Sequence, residues 1–226
     1  GIRDKLVTGV QTCALPISKL ENLWATKGHI QGQCMSHQSS SFMYINIPKN
    51  ASSWTKPNLI DYGWEFYNYR TDKLDKHSLI VLRDPVDRWV SGIAEFLTLY
   101  HSSYTLDSQE TIDLIFDRIT FDDHTERQVY FLDGIDTNNA TFFWCDHNYR
   151  ENFSKFISDE YGPNRYHRYD YQHVSDNSPD RKRFKHIFNL ALEKNSKYLN
   201  QLKDHFESDY QLIEKIRFYG TGRPNK

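Results

Sequence analysis

The sequence predicts an α/β protein, a three-layer α/β/α sandwich around a mostly parallel central sheet. Three observations carry this. The run Ser78-Leu79-Ile80-Val81-Leu82 is continuously apolar after its serine, the mark of a strand buried on both faces of a parallel sheet. The run 41–47, with Phe42, Tyr44, Ile45 and Ile47, is rich in strand-forming residues and stops at Pro48. Both runs lead into helix-start signals, and a strand-then-helix alternation points to helices covering the sheet and a ligand at the strands' carboxyl ends.

Taken in order, strand 41–47 is followed by a short helix that Pro57 limits. After strand 78–82, Asp84 is a plausible N-cap and Pro85 fits the first helical position. Trp89, Ile93, Phe96 and Leu97 then recur at helical spacing and are expected to face the sheet. Residues 108–119 read as a second amphipathic helix, with Ile112, Ile115, Phe116 and Ile119 on its apolar side. A strand over 140–145 and a short element over 153–157 come next, then a long loop over 160–177. Ser178-Pro179 opens a helix running to about residue 192, and 198–205 and 210–218 form a helical tail ending at Gly220.

Composition narrows the function. The 226 residues carry a net charge of −2, so no global field favours nucleic acid, and any anion site must be local. No apolar stretch approaches the length of a membrane span. Cys13, Cys34 and Cys145 give neither a disulfide framework nor a zinc spacing, which favours a reducing cytoplasm; a bridge between Cys34 and Cys145 stays open. Aromatic residues make up 15% of the chain, and both ring stacking on a sugar and plain core filling account for them. Residues 7–17 look like the translation of a sequencing adapter, so 1–17 are set aside as an artefact segment. The natural N-terminus is then missing or displaced, an anchor or signal ahead of Ser18 is outside view, and 18–226 form one domain with its core from about residue 41.

Two segments carry chemistry. PKNASSW, 48–54, supplies Lys49, the hydroxyls of Ser52 and Ser53, and a row of backbone N–H groups at a helix start, which together hold a phosphate-like anion. RDPVDRWVS, 83–91, places Arg83 at a strand end and Ser91 eight residues later in the following helix, where they can converge on a second anion. Two such sites on one sheet imply a ligand with two separated phosphate-type groups.

PKNASSW resembles the 5′-phosphosulfate loop of the sulfotransferases, and RDPVDRWVS resembles their 3′-phosphate motif. Asn50-Ala51 departs from the Ser-Gly of the cytosolic small-molecule enzymes, and the RDPxxRxxS form points to the carbohydrate-type branch. The resemblance implies a P-loop-like nucleotide-binding fold and the donor 3′-phosphoadenosine 5′-phosphosulfate (PAPS), with no metal. It assigns donor binding to Lys49, Asn50, Ala51, Ser52, Ser53, Trp54, Arg83 and Ser91, with Lys49 also neutralising the leaving phosphate. Trp54 is placed either against adenine or in the core. The implied partner is a hydroxyl-bearing acceptor, a glycan or small molecule, and no nucleic acid.

For the general base, His124 is the first candidate. It lies in Phe121-Asp122-Asp123-His124-Thr125-Glu126-Arg127-Gln128, which resembles the His-x-x-x-Gln block of carbohydrate-type relatives; Asp123 is read as orienting the imidazole, which can take a proton at neutral pH. Asp61 and Glu65 are the carboxylate alternatives. Arg88 is read as pairing with Asp84, Arg181-Lys182-Arg183 as a solvated basic turn or an element closing over the 3′-phosphate, and His77 as a strand cap. His167 and His173 fit an acceptor-binding loop with Arg165 and Arg168 better than a metal site. Two other readings stand beside the sulfotransferase. One is a P-loop phosphotransferase, against which the absent GxxxxGK[ST] pattern counts. The other is a non-catalytic nucleotide-binding relative.

Overall fold

The computed structural model describes residues 30–68, 75–101, 106, 108–162 and 178–220. Its elements in chain order are β1 (Cys34–Ser36), β2 (Phe42–Ile45), α1 (Ser52–Asp61), β3 (Glu65–Tyr67), β4 (His77–Leu82) and α2 (Pro85–His101). There follow α3 (Gln109–Arg118), a 3₁₀ turn (Val129–Leu132), β5 (Ala140–Trp144), α4 (Tyr149–Tyr161), α5 (Pro179–Lys194), α6 (Ser196–His205) and α7 (Glu207–Lys215). The protein is a mixed α/β fold with one five-stranded sheet in the order β3-β1-β2-β4-β5. β4 pairs in parallel with both β2 and β5, and β1 runs antiparallel to β2 and β3, so four of the five strands point the same way.

Alternation along the strands sorts the sheet's side chains onto two faces. Leu79 and Val81 join Tyr44, Phe143 and residues of α1 and α4, including Leu59 and Phe153, in one cluster. Ile80 and Leu82 join Met43, Ile45, Phe142, the 3₁₀ residues Phe131 and Leu132, and Ile213 of α7 in another. Each fully buried apolar side chain contributes about 1.5–3 kcal/mol. Both faces are thus closed to water, as the apolar run of β4 requires.

Trp89, Ile93, Phe96 and Leu97 are buried, but not on the sheet. They pack in a third cluster made of helix and loop residues, with Phe116, Phe184, Phe188, Leu202 and Phe206. Helical spacing identifies a buried face without saying what covers it, and here α3, α5 and α6 cover it.

Three further boundaries differ from expectation. Pro57 lies inside α1; it has no N–H to give, but Trp54, Thr55 and Leu59 are buried and hold the helix together past it. The element after β5 is the full helix α4, and the chain leaves helical geometry at Lys215, so that Phe218 forms a parallel bridge with Phe142 and Tyr219 N–H donates to the Phe142 carbonyl at 2.7 Å. β1 and β3, three residues each, were too short to leave a pattern. Residues 163–177 of the expected loop, with His167 and His173, lie outside the described residues. Among the described residues no helix is long and apolar enough to cross a membrane.

Candidate functional site

The carboxyl ends of β2, β4 and β5 open into a cleft of about 430 Å³. Its walls include Lys49, Ala51, Ser52 and Ser53 from the loop after β2, Arg83 after β4, Ser91 and Glu95 of α2, His124, and Cys145 and Asp146 after β5. Residues from both segments, 48–54 and 83–91, therefore face one space.

The loop after β2 turns sharply because Lys49 (φ 67°) and Ala51 (φ 57°) both adopt left-handed backbone. Such geometry costs of order 1–3 kcal/mol per non-glycine residue and clusters where chains bind ligands. It delivers the start of α1 to the cleft with no side chain capping the helix, an arrangement that suits an anion. Asn50 points the other way: it is fully buried, and its Nδ2 donates to the Val81 carbonyl and to Gln128 Oε1, both at 2.7 Å. Trp54 also turns inward. It meets Tyr149 and Phe153 edge-on in the core and does not line the cleft, which removes it as an adenine platform.

In the second segment, Asp84 Oδ1 accepts from Asp87 N–H at 3.0 Å and caps α2 as expected. Arg83 lines the cleft, and its guanidinium forms no hydrogen bond or ion pair among the described residues, with Asp84 and Asp87 included. Arg88 does not pair with Asp84. It is fully buried, with Nε on the Pro48 carbonyl at 3.0 Å and its other nitrogens on the carbonyls of Asp123 and Glu126. Burial lowers its pKa to about 10 against the pull of Asp209 and neighbouring carboxylates, so it remains a cation at neutral pH. It ties α2 to both the loop after β2 and the turn that carries His124.

His124 lies on the cleft wall, oriented by Asp122 rather than Asp123. Asp122 Oδ2 is 2.8 Å from His124 Nδ1, and its Oδ1 accepts from His124 N–H at 2.9 Å. With Nδ1 engaged, Nε2 is the ring nitrogen left for chemistry. Asp123 instead accepts from Ile30 N–H at 2.9 Å. Gly92 permits this arrangement, since a Cβ there would sit 2.0 Å from the His124 carbonyl oxygen. Asp61 and Glu65 do not line the cleft; Asp61 ends α1, and Glu65 stands on the edge strand β3, bonded to Tyr67 Oη at 2.9 Å. His77 bonds Asn139 and Thr141 at the start of β4, as a cap does.

Sequence reading missed Glu95, Gln128, Lys56, Arg150 and Lys185. Glu95, one helical turn beyond Ser91, holds its carboxylate 3.3 Å from Lys49 Nζ and in contact with the Arg181 guanidinium. Arg181 is thus buried against the site, whereas Lys182 and Arg183 are exposed. Gln128 is wholly buried: its Oε1 accepts from Asn50 Nδ2 and from Arg83 N–H at 3.0 Å, and its Nε2 donates to the Arg83 carbonyl at 2.9 Å. The i, i+4 spacing of Ser91 and Glu95 was the available signal for the first; for Gln128 there was only its place in the His-x-x-x-Gln block.

Among the described residues the cleft walls carry Lys49, Lys56, Arg83, Arg150 and Lys185 against the carboxylates of Glu95 and Asp146. In a chain of net charge −2 this is a local excess of positive charge. Cys34 and Cys145 are both free thiols, so no bridge joins them, and burial raises the pKa of Cys145. Among the described residues no cluster of His, Cys, Asp or Glu is placed to hold a metal ion. No protein-family model matches the chain, and no curated protein or solved structure matches it at a significant level.

Proposed function

We propose that the chain is a sulfotransferase that moves a sulfuryl group from PAPS to a hydroxyl of a carbohydrate acceptor. The observation that carries this reading is that Lys49, Ser52 and Ser53 share one cleft with Arg83 and Ser91. A bisphosphorylated nucleotide fits such walls: the uncapped start of α1 offers N–H groups, Arg83 has its guanidinium available, and cations outnumber carboxylates. On this reading the fold is a three-layer sandwich with a P-loop-like turn after β2, supported by apolar clusters on both faces of the sheet.

When bound, the donor supplies an activated sulfuryl group attached through a phosphate. Ser52, Ser53 and the α1 N-terminus hold the oxygens at the 5′ end, and Arg83 with Ser91 holds the 3′-phosphate. Lys49 swings from Glu95 to offset negative charge on the departing phosphate oxygen, the kind of electrostatic assistance whose loss typically costs about 10²–10³ in rate. His124, aligned by Asp122, accepts the acceptor's hydroxyl proton at Nε2.

Calorimetric titration with 3′-phosphoadenosine 5′-phosphate (PAP), against ADP and ATP with Mg²⁺, tests the reading. PAP should bind in preference to both, Arg83→Ala should weaken it about 10–100-fold, as expected for a lost charged hydrogen bond, and Lys49→Ala should lower transfer at least about 100-fold. Preference for ATP with Mg²⁺ would replace the reading with a phosphotransferase; PAP binding without transfer to any glycan hydroxyl would leave a non-catalytic relative.

A further inference from the structure

We propose that Gln128 is a positioning residue that clasps the two anion half-sites together, so that the cleft binds a 3′,5′-bisphosphate far better than either monophosphate. The inference rests on the two-anion reading above and concerns what sets the distance between its halves.

Gln128 lies outside both segments and its side chain bonds to each of them. Its amide spans the Arg83 main chain with two bonds, Arg83 N–H to Oε1 at 3.0 Å and Nε2 to the Arg83 carbonyl at 2.9 Å, which fixes the plane and orientation of the amide. The same Oε1 takes the 2.7 Å bond from Asn50, inside the loop that carries Lys49, Ser52 and Ser53. The clasp is itself anchored, since the main-chain N–H groups of Gln128 and Val129 both donate to Asp209 of α7 at 2.9 Å. Gln128 therefore cannot slide without breaking that carboxylate's bonds as well.

Each half-site has independent support. The loop after β2 is held by burial of Trp54 and Thr55, and the end of β4 is held by its pairing with β5; Arg88 on the Pro48 carbonyl is a second tie between the segments, set at the base of the loop. Removing the Gln128 amide should thus leave each half able to take one phosphate while loosening the spacing between them, with the Arg88–Pro48 and Asn50–Val81 bonds remaining. A ligand gripped at two points gains from a fixed span, because the second contact forms at high effective concentration. That gain is what the clasp secures.

The test is titration of the full chain and of Gln128→Met with PAP, adenosine 5′-phosphate and adenosine 3′-phosphate, alongside thermal unfolding. The expected result is PAP weakened about tenfold or more with both monophosphates within about threefold of wild type. Equal weakening of all three ligands, or of none, overturns the proposal. Should Gln128→Met fail to fold, Asn50→Ser cuts the link from the loop side, together with the bond to the Val81 carbonyl, and is judged by the same ratio. A wild-type chain that binds PAP no better than the monophosphates overturns the two-anion reading itself, before any variant is compared.

Discussion

His124 shows how one residue's usefulness depends on its neighbours. With Nδ1 held 2.8 Å from Asp122, the ring presents Nε2 to a cleft that also contains Lys49, Arg83 and Ser91. If Asp122 acts by fixing the ring, Asp122→Asn should lower kcat about a hundredfold, the weight of a misaligned base, while PAP affinity stays at the wild-type value. Steady-state kinetics combined with calorimetry separates the two; a matching loss of PAP affinity would mean that the carboxylate merely holds the turn. Arg88 and Asn50 illustrate the opposite case, polar residues of the two segments whose side-chain N–H groups are given to carbonyls and an amide oxygen behind the cleft.

Among the elements, α2 carries the heaviest load. Ser91 and Glu95 face the cleft one turn apart, Arg88 braces the loop after β2, and Gly92 lets the turn of His124 lie directly against the helix. Gly92→Ala must push that turn away, because the added carbon would meet the His124 carbonyl at 2.0 Å. A destabilisation of about 1–3 kcal/mol is expected, with kcat reduced more than PAP affinity; thermal unfolding and kinetics of the variant check both. α2 also shows what sequence could and could not supply. Asp84-Pro85 announced its start because capping is local chemistry. The pairing of Lys49 with Glu95 spans 46 residues and that of Asn50 with Gln128 spans 78, so neither left any local trace. Trp54 likewise had a readable helix position, but only the arrival of α4 decides that it faces Tyr149 and Phe153 instead of ligand.

For the whole molecule, the central strands and the two segments that line the cleft were legible because β4 is apolar from Leu79 to Leu82 and Pro48 and Pro85 punctuate the chain. The grouping of α2, α3, α5 and α6 into their own core was not, since apolar periodicity names a face and not its partner. That helical core adjoins a pH-sensitive point. His205, at the end of α6, is half-buried beside Thr120, and burial with the nearby Arg127 lowers its pKa. The folded chain holds that proton less firmly than the unfolded chain, so stability present above the ordinary histidine pKa, about 6.5, is lost as pH falls below it. Melting temperatures of wild type and His205→Gln at pH 7.5 and 5.5 should show a smaller acid-induced drop in the variant; equal drops would remove His205 as the source.

Glu95 lies between Lys49 and Arg181, and this gives the cleft a counterion of its own. On the proposed reading, an anion that reaches only Lys49 must displace the carboxylate already there, so inorganic phosphate is expected to compete poorly. A ligand long enough to meet Arg83 and Ser91 in the same event gains contacts that Glu95 does not already satisfy. On that reading, the cleft would then select an anion by its length as well as its charge, with a glutamate as the measuring edge.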